Sequence, residues 1–280
     1  MKFGKVTVIG MGLIGGSIGK ALIKRKLADE VVGVFRRQSS LDRAVKEEAL
    51  SAGYLNSLDE ALVGAEVVFI ATPVPMIKTV LKNIAASRRG KKIIVTDVGS
   101  VKKEISDYAL NFKKEFSFVG GHPLAGSEES GVEHSSPDLF EKAPCILTRD
   151  PLTCEDDLLK IQALWQAMGA VVSVMTPEEH DAIVSFTSHL PHVVAYALAG
   201  SQKKEDLKYT STGFKDTTRI AASDPQLWSD IFTNNSGNML SALAKFRETL
   251  SGIEDDIRNG RQEDLIKKLD ACRKIRNEVI

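Results

Sequence analysis

Val6-Thr7-Val8-Ile9-Gly10-Met11-Gly12-Leu13-Ile14-Gly15 decides the fold: a short apolar strand runs straight into Gly-x-Gly-x-x-Gly, and Ala21, Leu22 and Ile23 carry a helical pattern onward. That order of strand, glycine turn and helix builds a dinucleotide site. Gly10 permits the tight turn, Gly12 lets the backbone approach a pyrophosphate, and Gly15 lets helix and strand pack closely. The free N–H groups at the helix start, around Leu13 and Ile14, attract the phosphates. By itself the glycine pattern is a weak signal, and a turn without a ligand is the competing reading. A second strand, Val31 to Phe35, follows at βαβ distance and supplies the missing context.

The end of that second strand indicates which dinucleotide to expect. An acidic residue usually stands there to hold a ribose 2′-OH, but this chain has Phe35-Arg36-Arg37. A carboxylate would repel a 2′-phosphate, whereas a guanidinium forks onto it, contributing on the order of 1.5 to 3 kcal/mol. Arg36 is the first candidate, with Arg37, Gln38 and Ser39 as further donors; a solvated basic loop is the plainer alternative. NADP is therefore expected in preference to NAD.

With 280 residues the chain exceeds what one hydrophobic core usually supports, so two domains are expected. Thirty-seven basic residues balance thirty-seven acidic ones, which argues against a general nucleic-acid or anionic-membrane surface and for small-molecule chemistry. Cys145, Cys154 and Cys272 are odd in number and lack Cys-x-x-Cys spacing, so a disulfide framework or thiolate metal site is not indicated and a reducing cytoplasm is expected. The first strand begins too early to leave room for a signal segment, and no uninterrupted apolar run reaches a membrane span.

Residues 1–175 alternate short apolar strands with helical patterns, as in a parallel sheet covered by helices. The expected strands are Val6 to Ile9, Val31 to Phe35, Val67 to Ala71, Ile93 to Asp97, Phe116 to Gly120, Cys145 to Thr148 and Val171 to Met175, with the sheet open to antiparallel pairing from Cys145 on. Ser57-Leu58-Asp59-Glu60 and Thr176-Pro177-Glu178-Glu179 read as capping boxes, and the second opens an all-helical domain over 176–280. There a helix should kink at Pro191 and another should start at Asp224-Pro225. Leu240, Leu243, Phe246, Leu250, Ile253 and Ile257 form a helical seam that packs either within the domain or against a second subunit. The fold class is thus α/β, a Rossmann-type doubly wound, mostly parallel sheet followed by an all-α dimerisation domain. A homodimer is the expected assembly.

Ligands of an open parallel sheet bind beyond the carboxyl ends of its strands. Three turns there are chemically loaded: Thr72-Pro73-Val74-Pro75, Gly99-Ser100-Val101-Lys102, and Gly120-Gly121-His122-Pro123 running on to Glu128. Of the five histidines, only His122 is placed by this rule, at the cleft where a nicotinamide would lie. His134 reads as a surface residue. His189 and His192 have no third ligand at metal spacing, so no metal is expected. Lys215, Asp216 and Arg219 form either a carboxylate clamp or a charged helix face.

Together these segments resemble the prephenate and arogenate dehydrogenases of tyrosine biosynthesis. The resemblance is carried by Gly10 to Gly15, Ala71-Thr72-Pro73, Thr96 to Lys102, Gly120-Gly121-His122-Pro123 with Ala125 to Glu128, Ser188-His189-Leu190-Pro191-His192, and Gly213-Phe214-Lys215-Asp216 through Arg219. It implies oxidative decarboxylation of a cyclohexadiene, with hydride passing to the nicotinamide and carbon dioxide leaving, in a monofunctional enzyme. By the resemblance His122 draws the proton from the substrate 4-hydroxyl, Thr72 helps position both, and Arg219 binds a carboxylate. His189 and Glu128 lie in the substrate pocket, and Pro73 is on the cofactor side. Prephenate is the expected substrate, with arogenate or both as the alternative. A β-hydroxy-acid dehydrogenase and a non-catalytic NADPH-binding regulator are the competing classes.

Overall fold

The computed structural model describes residues 2–87, 92–126 and 129–278. Its first half is one eight-stranded sheet of β1 (Phe3–Ile9), β2 (Ala28–Phe35), β3 (Ala52–Leu55), β4 (Val67–Ile70), β5 (Ile94–Asp97), β6 (Ser117–Pro123), β7 (Pro144–Thr148) and β8 (Val171–Met175). The spatial order is β3-β2-β1-β4-β5-β6-β7-β8, so the winding reverses between β1 and β4, the place where such sheets open a crevice. β1 to β6 run parallel, β6 and β7 pair antiparallel, and β7 and β8 are again parallel to each other.

The helices of this half are α1 (Leu13–Lys24), α2 (Gln38–Lys46), α3 (Leu58–Leu62), α4 (Val74–Ala86), α5 (Lys103–Ala109) and α6 (Glu155–Ala167). One core lies under α1 and α6, where Trp165 meets Phe69 edge-on at 5.8 Å and Phe140 at 5.1 Å. The opposite core gathers Ile77, Leu81 and Ile105 from α4 and α5, and it also takes in Trp228 and Ile231 from the second half. That shared core fixes the helical half against the face of the sheet that carries the site.

Three strand expectations need correction. β2 begins at Ala28, because Phe3 and Lys5 of a long β1 pair with Ala28 and Glu30 despite the polar residues there. β3, Ala-Gly-Tyr-Leu, was missed: an edge strand this short, without β-branched residues, carries no alternating signal. β6 continues past Gly120 to Pro123 because antiparallel pairing with β7 sets His122 opposite Ile146, so His122 belongs to the strand and not to the turn beyond it.

From Pro177 onward the chain is helical: α7 (Pro177–Val184), α8 (Leu190–Gly200), α9 (Thr212–Thr218), α10 (Pro225–Asn234), α11 (Ser236–Arg258) and α12 (Gln262–Asn277). The Thr176 capping box is present in both directions, with the Glu179 N–H donating to Thr176 Oγ1 at 3.1 Å and the Thr176 N–H donating to Glu179 Oε2 at 2.8 Å. Ser57, by contrast, makes no capping hydrogen bond to the five-residue α3. Asp224 caps α10 by accepting from the Gln226 N–H at 2.8 Å. The kink expected at Pro191 takes the form of a π-helical turn, Ser185–His189, just before it, as suits a proline that cannot donate its own backbone hydrogen bond.

Because of that turn, Pro177–Gly200 is a continuous helix of 24 residues with a window of mean hydropathy 1.3, long and apolar enough to cross a membrane; only 22% of that window is buried. The stretch is not an uninterrupted apolar run, since Glu178, Glu179, Asp181, His189 and His192 interrupt it. The seam on α11 is likewise open within the chain. Only Met239, Ala242 and Asp256 of that helix are buried, while Leu240, Leu250 and Ile257 are more than half exposed.

Candidate active site

At the carboxyl edge of the sheet, the glycine turn between β1 and α1 is built by close packing. Gly10 has a φ of +99°, and a Cβ there would lie 2.5 Å from the Ala71 carbonyl oxygen. A Cβ on Gly15 would sit 2.0 Å from the Gly10 oxygen. Gly12 differs, since nothing among the described residues lies within 4 Å of where its Cβ would be. Gly12 also stands at the start of α1, which has no side-chain cap and no acidic residue in its first turn. Open space over a small residue, faced by the uncapped N–H groups of Leu13 and Ile14, fits the pyrophosphate of a nicotinamide dinucleotide.

Arg36 and Arg37 are exposed just past β2, with Arg37 at the start of α2 and Ser39 exposed in its first turn. Neither arginine makes an ion pair among the described residues. Pro73, at the start of α4, follows β4 directly and lies on the same edge.

His122 is buried at the end of β6 and its Nδ1 lies 2.8 Å from His180 Nε2. His180 Nδ1 in turn lies 2.7 Å from Asp181 Oδ1. Burial, then the nearby charges of His180, Lys102 and His189, holds the His122 imidazole well below its ordinary pKa of 6.5, so the ring is neutral in the physiological range. Burial of Asp181 opposes its ionisation, but hydrogen bonds from His180 and from the Lys103 and Lys102 N–H groups outweigh it and keep the carboxyl below its usual range. His122 Nε2 makes no hydrogen bond among the described residues. A neutral imidazole with one nitrogen held and the other unengaged is equipped to accept a proton.

His189 falls in the π-helical turn and is fully buried. Its Nδ1 is 3.3 Å from Asn235 Nδ2, and its Nε2 has no partner among the described residues. Burial is the main reason its pKa drops to about 4. Thr72 Oγ1 is also buried without a partner among the described residues, and it makes no hydrogen bond to His122, whose held nitrogen belongs to His180. Arg219 is exposed just after α9, and its charge reaches His192, which stacks on Trp228 with ring centroids 3.3 Å apart. Glu128 lies outside the described residues.

The structure thus brings His122 and His189 together around His180, and sets Thr72 and the glycine turn on the same strand-end edge. His180 and Asp181 went unrecognised as site residues in the sequence. Their signal was present in Thr176-Pro177-Glu178-Glu179-His180-Asp181, a capping box that aims the first turn of α7 at the sheet.

A Rossmann-type sheet, a glycine cradle and a neutral strand-end imidazole define a nicotinamide-dependent dehydrogenase. Residues 18–174 match the family described as "Prephenate dehydrogenase, nucleotide-binding domain", and residues 176–271 match "Prephenate dehydrogenase, dimerization domain". The chain is 33% identical over 273 residues to the prephenate dehydrogenase of Bacillus subtilis, covering 94% of this chain and 72% of that protein. It is 30% identical over 281 residues to the cyclohexadienyl dehydrogenase of Zymomonas mobilis, covering 98% and 95%. The Aquifex aeolicus prephenate dehydrogenase, solved with hydroxyphenyl propionate and NAD+, superposes with a TM-score of 0.92 at 33% identity and covers 100% of this chain and 99% of that one. The chain belongs to the prephenate and arogenate dehydrogenase family.

Proposed function

We propose that this enzyme oxidatively decarboxylates prephenate to 4-hydroxyphenylpyruvate, with NADP as its preferred acceptor. The observation that carries this reading is the buried, neutral His122, held at Nδ1 and unengaged at Nε2, on the strand edge that also bears the glycine cradle. A bound nicotinamide would supply the acceptor for the hydride released from the ring. His122 Nε2 accepts the proton of the substrate 4-hydroxyl as that hydride leaves, and loss of the ring carboxylate as carbon dioxide makes the ring aromatic. The Thr72 hydroxyl and His189 Nε2, unpartnered among the described residues, supply polar contacts open to a bound molecule. Arg219 is assigned to a substrate carboxylate, a role its fork geometry suits.

Support for NADP comes from Arg36 and Arg37, which occupy the place of a ribose-binding acid. Since the Aquifex relative was solved with NAD+, NAD is the natural alternative. A homodimer through the helical half is supported by the match of 176–271 to a dimerisation domain and by the exposed Leu240, Leu250, Ile257, Ile266 and Leu269 of α11 and α12. Three free thiols favour a reducing, cytoplasmic setting.

The test is absorbance at the NADPH band with prephenate, arogenate and a β-hydroxy acid offered separately, each with NADP and with NAD. The highest kcat/KM is expected for prephenate with NADP. A higher value for arogenate would reassign the substrate, turnover of the β-hydroxy acid alone would reassign the reaction, and silence throughout would leave a cofactor-binding protein without this catalysis.

A further inference from the structure

His180 and Asp181 form a buried chain behind His122 whose hydrogen bonds run in one direction. Asp181 Oδ1 accepts from the Lys102 N–H at 2.8 Å and Oδ2 from the Lys103 N–H at 3.0 Å, while the Asp181 backbone oxygen accepts from Asn235 Nδ2 at 2.8 Å. The carboxylate is thereby fixed by the start of α5, with the backbone behind it held by Asn235, and it faces His180 Nδ1 as an acceptor only. A carboxylate must be met by N–H, so His180 carries its proton on Nδ1. A neutral His180 then has a bare Nε2, which must accept at 2.8 Å, and His122 must donate from Nδ1. By elimination the lone pair of His122 lies on Nε2.

We infer that His180 and Asp181 are positioning residues that hold His122 in its Nδ1–H tautomer, so that Nε2 is the nitrogen offered to the substrate, and that brace the ring when it gains a proton. The inference rests on the reading of His122 as the base. The other charged or titratable groups acting on the ring are Lys102, from the turn before α5, and His189, from the π-helical turn. Lys102 is neutralised by Asp97, and His189 is uncharged in its buried setting. Asp181, acting through His180, is therefore the negative group on the ring's Nδ1 side. A histidine oriented by a second buried group follows the general logic by which a fixed partner selects tautomer and direction.

The experiment uses the full chain with 15N-labelled histidine, of which there are five. Ring 15N shifts of the ligand-free protein, with His122 assigned by its loss in His122→Asn, should show His122 protonated on Nδ1 and bare on Nε2. The opposite tautomer would overturn the inference without any reference to turnover, so its failure is separable from failure of the proposed reaction. His180→Phe keeps bulk but removes the acceptor; it should lower kcat by roughly ten- to a hundredfold, part of what a general base supplies, with KM nearly unchanged and the tautomer signal altered. His180→Gln, whose amide oxygen accepts from Nδ1–H, should recover most of kcat and the parent tautomer. Parent kcat in a folded, cofactor-binding His180→Phe would refute the role. So would a loss of kcat with the His122 tautomer unmoved.

Discussion

Lys102 Nζ donates to Asp97 Oδ2 where neither side chain reaches solvent. The same carboxylate accepts from the Gly99 N–H at 2.9 Å and the Gly121 N–H at 3.3 Å, which ties the turn after β5 to the strand that carries His122. Burial pulls the Lys102 pKa down, and Asp97 opposes that pull. Lys102→Met should lower the unfolding free energy by about 3 to 5 kcal/mol, because it leaves Asp97 buried and unpaired. Asp97→Asn combined with Lys102→Met should lose clearly less. Equal losses in urea unfolding would show that the pair is not the source.

The three glycines of the cradle separate cofactor binding from folding. Gly12→Ala adds a Cβ into open space at a φ of −90° that alanine adopts, so thermal stability should stay close to the parent. Affinity for the dinucleotide should drop by roughly tenfold or more, about 1.4 kcal/mol. Gly15→Ala drives its Cβ onto the Gly10 carbonyl and should lower Tm itself. Cofactor titration alongside thermal melts of both variants checks the split.

Arg36→Ala should weaken NADP by roughly ten- to a hundredfold, the range expected for one charge-assisted contact, and change NAD affinity little. Equal weakening of both dinucleotides would remove the 2′-phosphate from its role.

The buried histidines make stability depend on pH with a definite sign. His189 drops from an ordinary 6.5 to about 4 on folding, so between those values the unfolded chain binds a proton that the folded chain does not. Stability should be level above pH 6.5 and fall as the pH is lowered towards 4, with His189 alone contributing about 3 kcal/mol. Burial shifts His122, His180 and His192 in the same direction. Urea unfolding at pH 7.5 and 5 measures the slope, and His189→Asn should remove part of it. Level stability across that interval would contradict the buried, neutral histidines.

What could be read from the residues followed from local rules. The glycine turn and the Thr176 capping box each depend on neighbours within a few residues and are legible in the chain, as is the nearness of His122 to a strand end, though not its place within β6. The partnership of His122 with His180 spans 58 residues and arises only because α7 packs against α5 and β7, so no local pattern announces it. β3 escaped for a different reason: Ala52-Gly53-Tyr54-Leu55 is an edge segment held by pairing to β2 and lacks a period of its own. The apolar seam on α11 was visible as a period of three and four, but the same period describes a helix buried in its own domain and one left open to a partner. Only the exposure of Leu240, Leu250 and Ile257 separates the two.

The most direct test of the central claim is kcat of His122→Asn with prephenate, measured beside its affinity for NADP. A fall of roughly two to four orders of magnitude with cofactor affinity nearly unchanged is the expected result, as befits loss of a general base. A kcat within a few-fold of the parent would contradict the account and remove His122 from the chemistry.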